Sequence, residues 1–302
     1  MRVLVTGAAG FIGSAVCRQA AAAGHEVFGL IRPDGDRQRL AEPIPGLELL
    51  EADLFHASEV QRALARARPD LCLHLGWYAV PGKYLESPIN LDCVQSSLRL
   101  LQQLHEVGCS RTVLSGTCFE YDLARGYLSE ATPASPTSLY AASKHALFLM
   151  ARRLQQNLGR SFGWGRVFYL YGPRESPGRL VPVVIRRLLA GEECLLPSGE
   201  QVRDYAHVSD VAAGLLALAN SDVQGAVNIA TGVPVTLAEV ASEIAEQLDR
   251  VDLLKLGAVP PRPGDPSFIC ADTSIARERL GWRHRFSLQD GIADTVAWWR
   301  AQ

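Results

Sequence analysis

Tyr140 and Lys144 stand four residues apart. On a helix that spacing puts a phenol and an ammonium on one face, one turn apart. A free phenol has a pKa of about 10, so it exchanges protons near neutrality only when its environment shifts it. A neighbouring ammonium does so by favouring the phenolate, each pH unit corresponding to about 1.4 kcal/mol. A third hydroxyl, Thr117, lies upstream within Ser115-Gly-Thr-Cys-Phe-Glu-Tyr121. Such a trio is suited to proton transfer at a carbonyl or alcohol oxygen. Composition gives the pair weight. Of 30 lysine and arginine residues only three are lysine (Lys83, Lys144 and Lys255), against eight tyrosines. Random placement would produce on the order of 0.1 such spacings.

A second cluster carries a different chemistry. Gly7-Ala-Ala-Gly10-Phe-Ile-Gly13 follows the β-branched run Arg2–Thr6 and precedes an Ala-rich stretch, Ser14–Ala23, that stops at Gly24. His25–Ile31 then reads as a second strand, so the glycines occupy the turn of a βαβ unit. There Gly7 permits a tight turn, Gly10 lets the backbone approach a pyrophosphate, and Gly13 allows close helix–strand packing. The pyrophosphate would sit at the positive end of the helix. NAD-selective versions close the second strand with a carboxylate on the ribose; here that strand ends Leu30-Ile31-Arg32. A guanidinium at that tip matches a 2′-phosphate, with Arg37 or Arg39 placed to assist, so the sequence favours NADP(H). Asp34 and Asp36 offer the opposing arrangement. Asp53, after the third strand, either accepts from an adenine amino group or caps the next helix.

The elements that must position these groups alternate along the chain. Strand-like runs at 47–51, 71–75 and 111–115 are separated by helical stretches near 58–66 and at 89–107. A helix over 141–158, with Leu147, Met150, Leu154 and Leu158 recurring on one face, leads to a strand over 165–170. This predicts an α/β fold with a doubly wound parallel Rossmann sheet, at whose carboxyl edge such proteins bind ligands. Residues 1–170 are expected to form the NADP-binding domain, with part of 204–230 returning to it. Residues 171–302, interrupted by Pro173, Pro177, Gly178 and Pro182, are expected to form a smaller α/β substrate lobe. Helices there are predicted at 183–190, 235–250 and 287–300, the last opening with Ser287 and Asp290 at capping-box spacing.

Composition bounds the function. With 302 residues and 48% hydrophobic side chains, the chain buries a sizeable core. A net charge of −2 argues against a nucleic-acid or anionic-membrane surface. Seven cysteines without a CxxC pair suit small buried hydrophobes in a reducing cytoplasm. No long apolar run or leader pattern is seen, so a soluble cytoplasmic protein is expected. Metal-ligand spacings and a GxSxG elbow are absent, and no metal is expected.

Taken together the motifs resemble those of the extended short-chain dehydrogenase/reductases, in particular the nucleotide-sugar epimerase/dehydratase/reductase group. The resemblance covers nearly the whole chain. It rests on the glycine loop, His74-Leu-Gly76, Asn90, Thr117, Tyr140-x-x-x-Lys144 and Tyr171-Gly-Pro173. Arg203-Asp-Tyr-Ala-His-Val-Ser-Asp210, Arg262-Pro-Gly-Asp265 and Leu280-Gly-Trp282 extend it through the second lobe. It implies that Thr117 and Tyr140 hydrogen-bond the sugar oxygen undergoing redox, while Lys144 also holds the nicotinamide ribose. It implies that Arg203 and Arg262 grip the nucleotide diphosphate. Corresponding positions place Phe11, Ile12, Leu54, Leu75, Gly76 and Phe168 along the cofactor. They place Tyr78, Lys83, Cys118, Phe119, Tyr169, Arg179 and Val181 along the substrate. The loop Trp77–Tyr84, aromatic-rich, either lines the sugar pocket or packs as a lid. A homodimer through a four-helix interface made by 89–107 and 141–158 is also implied.

Departures from the family pattern narrow the reaction. Dehydratases of this group carry Asp-Glu directly after the catalytic Thr, where this chain has Cys118-Phe119. Reductases that also epimerise C3 and C5 place a Cys base where Phe119 stands. Tyr169 replaces an Asn that contacts the diphosphate in many members. The expected activity is NADP-dependent reduction of a nucleotide-diphospho-4-keto-6-deoxyhexose, with Tyr140 as proton donor. The alternatives are an NAD-dependent 4-epimerase of a nucleotide hexose and a non-catalytic NADP-binding sensor or scaffold.

Overall fold

In the computed structural model residues 1–261 and 263–302 are described; Arg262 lies outside the described residues. Val3, Leu4 and Val5 of β1 (Arg2–Thr6) are all buried, as expected for a strand covered on both faces. Their side chains alternate between two cores. Val3 and Val5 join Val16, Cys17, Val211 and Leu215, whereas Leu4 joins Leu64, Leu100, Leu147 and Trp164.

The strands of the main sheet run in parallel. After β1 and α1 (Phe11–Ala22) come β2 (Glu26–Ile31), β3 (Leu47–Glu51), α2 (Ala57–Ala67), β4 (Leu71–His74) and α3 (Ile89–Glu106). Then follow β5 (Arg111–Thr117), β6 (Tyr127–Leu128), α4 (Leu139–Asn157), β7 (Ser161–Val167), β8 (Tyr169–Tyr171) and α5 (Leu180–Leu189). The chain continues through β9 (Cys194–Leu195), β10 (Val202–His207), α6 (Val208–Ala219), β11 (Gly225–Ile229), β12 (Pro234–Thr236) and α7 (Leu237–Leu248). It closes with β13 (Leu254–Lys255), β14 (Cys270–Ala271), α8 (Ser274–Arg279) and α9 (Leu288–Arg300). One seven-stranded sheet has the order β11-β7-β5-β4-β1-β2-β3. The order reverses beside β1, which creates the crevice where the glycine loop and the end of β4 meet. The doubly wound α/β architecture read from the sequence is thus present, with β11 added from beyond residue 220.

The remaining strands form small sheets, β12-β10-β8 the largest of them, in which β10 and β12 pair antiparallel. Beside them Val184, Ile185 and Leu188 of α5, Val240 and Ile244 of α7, and Ile292 and Val296 of α9 share a separate apolar core.

Several boundaries differ from the sequence reading. α4 begins at Leu139, because the Ser138 hydroxyl caps it by accepting from the Ala141 N–H at 3.2 Å. Tyr140 therefore lies inside the first turn. Its buried stripe runs through Lys144, Leu147, Phe148, Ala151 and Gln155, and Met150, expected on that face, is 52% exposed. β7 begins at Ser161, before the expected start; Gly163 and Gly165 in it lie against Leu218 and Leu215 of α6. α5 includes Pro182 in its first turn, where a missing N–H costs nothing. All seven cysteines are free and buried. No helix among the described residues is long and apolar enough to cross a membrane.

Candidate active site

The glycine loop is built for close approach. Gly7 has φ +65°, and a side chain there would lie 2.8 Å from Gly76. The Gly10 N–H donates to the Gly7 carbonyl at 2.8 Å, and a Cβ on Gly10 would sit 2.9 Å from that same oxygen. Gly13 packs against the Gly7 carbonyl so tightly that no side chain fits. Because Gly10 offers no side-chain cap to α1, the N–H groups of Phe11 and Ile12 are left for an anion at the positive end of the helix. Beneath the loop, Gly76 presents bare backbone, and a Cβ there would meet Leu54 at 2.6 Å. This cradle fits a dinucleotide pyrophosphate.

A buried relay fixes the cradle. The Thr6 hydroxyl accepts from the N–H groups of Leu75 and Gly76, both at 3.1 Å, and so donates to His74 Nδ1 at 2.7 Å. His74 Nε2–H then donates to Ser97 Oγ at 2.7 Å, and Ser97 donates to the Cys93 carbonyl at 2.6 Å. Burial, helped by the Lys144 charge, pushes His74 down to about 3, so the neutral ring this relay requires is the form present.

At the ribose end Arg32 is exposed at the tip of β2, with no ion pair to any described residue. Arg37 pairs with Glu51 at 2.5 Å. Arg39 turns away from this rim, its Nε donating to the Arg174 carbonyl at 2.8 Å, so assistance from Arg39 is not supported. Asp36 is occupied by the Gln38 N–H at 2.9 Å. Asp53 accepts from the Phe55 N–H at 2.9 Å, a local turn ahead of α2. The helix itself is capped at His56 without a side-chain hydrogen bond, so the capping alternative for Asp53 is not what the structure shows.

Around Tyr140 and Lys144 the structure gathers more than the expected trio. Lys144 is buried; its ammonium donates to the Ser115 carbonyl at 2.9 Å and lies 3.8 Å from the centre of the Trp77 ring, a cation–π contact. Burial pushes it down to about 8, while Glu120 and Cys93 act in the opposite direction. Tyr140 meets Trp77 edge-on at 6.3 Å and Tyr84 at 4.9 Å. Burial, and Tyr84 beside it, hold its phenol well above the usual range, with the Thr117 hydroxyl acting in the opposite direction. Asn90 fixes the loop that carries both rings. Its Oδ1 accepts from Trp77 Nε1 at 2.8 Å, and its Nδ2 donates to the carbonyls of Tyr84 at 2.7 Å and Ser87 at 2.9 Å. The loop therefore contacts both Tyr140 and Lys144.

The side on which the sequence places the substrate residues is aromatic and cationic. Arg179 lies 5.6 Å from the Tyr84 ring. Tyr169 is flanked by Phe119 at 6.0 Å, Tyr205 at 5.6 Å and the Arg203 guanidinium at 5.3 Å. Arg203 is buried and paired with Asp265 at 2.6 Å. Not every expected residue joins them. Val181 is packed in the core of α5, α7 and α9, so its side chain is not displayed on the expected substrate side. Cys118 is buried, and burial pushes its thiol up to about 12, which removes it as a base near neutrality. Phe168 is buried beside Tyr121. Lys83 is exposed and Tyr78 half-buried on the loop. Arg262 lies outside the described residues. Two residues escaped the sequence reading. Asp204 ties β10 to the next loops by accepting from Thr231 at 2.6 Å and Gly232 at 2.8 Å, and Glu120 underlies Thr117. The Arg-Asp motif hinted at the first, while nothing local marked the second.

A family model described as the NAD dependent epimerase/dehydratase family matches residues 3–230, and the chain belongs to that family. It is 32% identical over 317 residues to UDP-glucose 4-epimerase of Mycolicibacterium smegmatis, with 99% of each chain covered. It is 30% identical over 331 residues to dTDP-glucose 4,6-dehydratase of an Actinoplanes species, covering 100% of this chain and 98% of the relative. The structure of UDP-glucose 4-epimerase from Thermotoga maritima, solved with UDP-glucose, matches with a TM-score of 0.89 at 25% identity. That match covers 100% of this chain and 99% of the epimerase. The resemblance to extended nucleotide-sugar oxidoreductases holds along the chain.

Proposed function

We propose that this protein reduces the keto group of a nucleotide-diphospho-4-keto-6-deoxyhexose and takes NADP(H) as its dinucleotide. The observation that carries the reading is the tip of β2, where exposed Arg32 stands in place of a ribose-binding carboxylate. Consumption of a reduced, phosphorylated dinucleotide fits net reduction. When bound, that dinucleotide supplies the hydride. The chain's own residues do the rest. Thr117 orients the carbonyl by hydrogen bonding, and Tyr140, held protonated by burial, donates its proton to the carbonyl oxygen. Lys144 stabilises the phenolate left behind. Arg179 and Arg203 present guanidiniums to the diphosphate. Water elimination is disfavoured, since neither Cys118, with its raised thiol, nor Phe119 can serve as the required acid and base.

A second reading, a 4-epimerase of a nucleotide hexose, is favoured by the full-length similarity to the mycobacterial epimerase. One experiment separates the two. The purified protein is supplied with NADPH and a 4-keto sugar nucleotide, and absorbance at the reduced-nicotinamide band is followed. Stoichiometric loss is expected. In Arg32→Asp the preference for NADPH over NADH should fall by about 10–100-fold, as for loss of a charge-assisted pair. Tightly held NAD released on denaturation, with no net oxidation of NADPH, would establish the epimerase instead.

A further inference from the structure

Glu120 is fully buried three residues beyond Thr117. Four groups converge on its carboxylate. Oε1 accepts from the Thr117 N–H at 2.9 Å and from Trp164 Nε1 at 2.9 Å. Oε2 accepts from Arg166 Nε at 3.0 Å, and His145 Nδ1 lies 3.8 Å away. Gly116 leaves the space for this arrangement, because a Cβ there would fall 2.5 Å from Glu120 Oε1. One side chain thus ties together the end of β5, which displays Thr117; helix α4, which carries Lys144 next to His145; and strand β7.

Burial alone would protonate such a carboxyl group. His145, Arg166, the Thr117 N–H and Trp164 outweigh that penalty and hold it below the usual carboxylate range. Arg166 is itself spread over the rings of Tyr121 at 4.3 Å and Phe148 at 5.2 Å. The Lys144 ammonium donates to the Ser115 carbonyl at 2.9 Å, and the next residues, Gly116 and Thr117, lie directly against the Glu120 carboxylate. The other titratable groups facing it are His74 from β4, Cys93 from α3 and, one turn earlier on α4 and against the same Trp77 ring, Tyr140. His74 is neutral, burial keeps the Cys93 thiol and the Tyr140 phenol protonated, and Glu120 is the anion of the set.

We propose that Glu120 is a positioning residue of the catalytic set: its carboxylate fixes the backbone that displays Thr117 and balances the buried ammonium of Lys144. The inference rests on reading Thr117, Tyr140 and Lys144 as the catalytic residues, and its test needs no substrate. With three lysines in the chain, protein labelled with carbon-13 at lysine Cε gives separately assignable signals. Exposed Lys83 and Lys255 serve as internal references. The wild-type Lys144 signal should titrate at about 8. In Glu120→Gln its midpoint should fall by about one pH unit, the scale of one lost neighbouring charge. Glu120→Asp, which keeps the charge, should recover most of that shift, and the references should not move. A purely structural residue would lower the melting temperature of Glu120→Gln and leave the Lys144 midpoint where it was, and that result overturns the proposal. If Glu120→Gln does not fold, the wild type decides alone. A Lys144 midpoint of about 5–6, the range of buried lysines lacking a counter-charge, would equally overturn it. Failure of the keto-sugar assay would leave these titrations unchanged, so the two readings fail separately.

Discussion

A carboxyl group buried without enough donors keeps its proton. Glu175 does so in the loop after β8: burial pushes it up to about 8 against the pull of Arg179 and Arg39, and its Oε2 has no hydrogen-bond partner among the described residues. Between the ordinary value of 4.5 and about 8 the folded chain holds a proton that the unfolded chain releases. Stability due to this group therefore falls as pH rises across that window. Glu175→Gln removes the dependence. Its stability relative to wild type should climb by up to about 4 kcal/mol between pH 4.5 and pH 8, read by denaturant melts at each pH. A constant gap would refute the assignment. The candidate catalytic pair was legible because Tyr140 and Lys144 are local in sequence and lysine is rare. Glu120 was not, because Trp164 and Arg166, which give it meaning, arrive from another strand. Likewise Asn90 was visible as a motif, but its grip on Trp77 depends on a loop conformation that no spacing encodes.

At the scale of elements, the turn from β1 into α1 has the narrowest tolerance. Gly13 is already helical, yet its missing side chain is what lets the first turn settle on the Gly7 carbonyl. Gly13→Ala should push helix and loop apart. We expect dinucleotide affinity to fall by 10-fold or more, at about 1.4 kcal/mol per decade, while the far-UV spectrum is retained. Unchanged affinity in a cofactor titration would show that the loop yields without cost. The strands of this half were readable from short apolar runs, the first of them β-branched and running directly into Gly7. Helix α6 was not predicted, because Val208–Ala219 is apolar nearly all round and buried along most of its length, so it shows no two-sided periodicity. β8 and β10 were blurred for another reason: they mix aromatic, charged and small side chains, and their buried positions do not alternate.

At the scale of the whole molecule, α3 and α4 pack side by side and leave Leu91 59%, Leu149 45% and Met150 52% exposed. Exposed apolar side chains on two adjacent helices are suited to association. We propose that a second copy covers it, as a two-fold arrangement of two helix pairs. Light scattering should give a dimer for the wild type and a monomer for the double variant Leu149→Arg and Met150→Arg. A monomeric wild type would dismiss the proposal. The return of β11 to the main sheet also belongs to this scale. Its register with β7 pairs Gly225 with Gly163 and Ile229 with Val167, a contact between distant parts of the chain that composition could only suggest.

The seven buried thiols have a practical consequence. Free yet enclosed, and with Cys17, Cys109, Cys118 and Cys270 pushed up to about 12, they are poor nucleophiles in the native state. A maleimide or disulfide reagent added to the folded protein should find few targets until the chain opens. The number of adducts on each molecule, followed by mass against time, then becomes a clock for opening events. Sulfurs that react together belong to one cooperative unit, and those that react early mark the part of the molecule that breathes first.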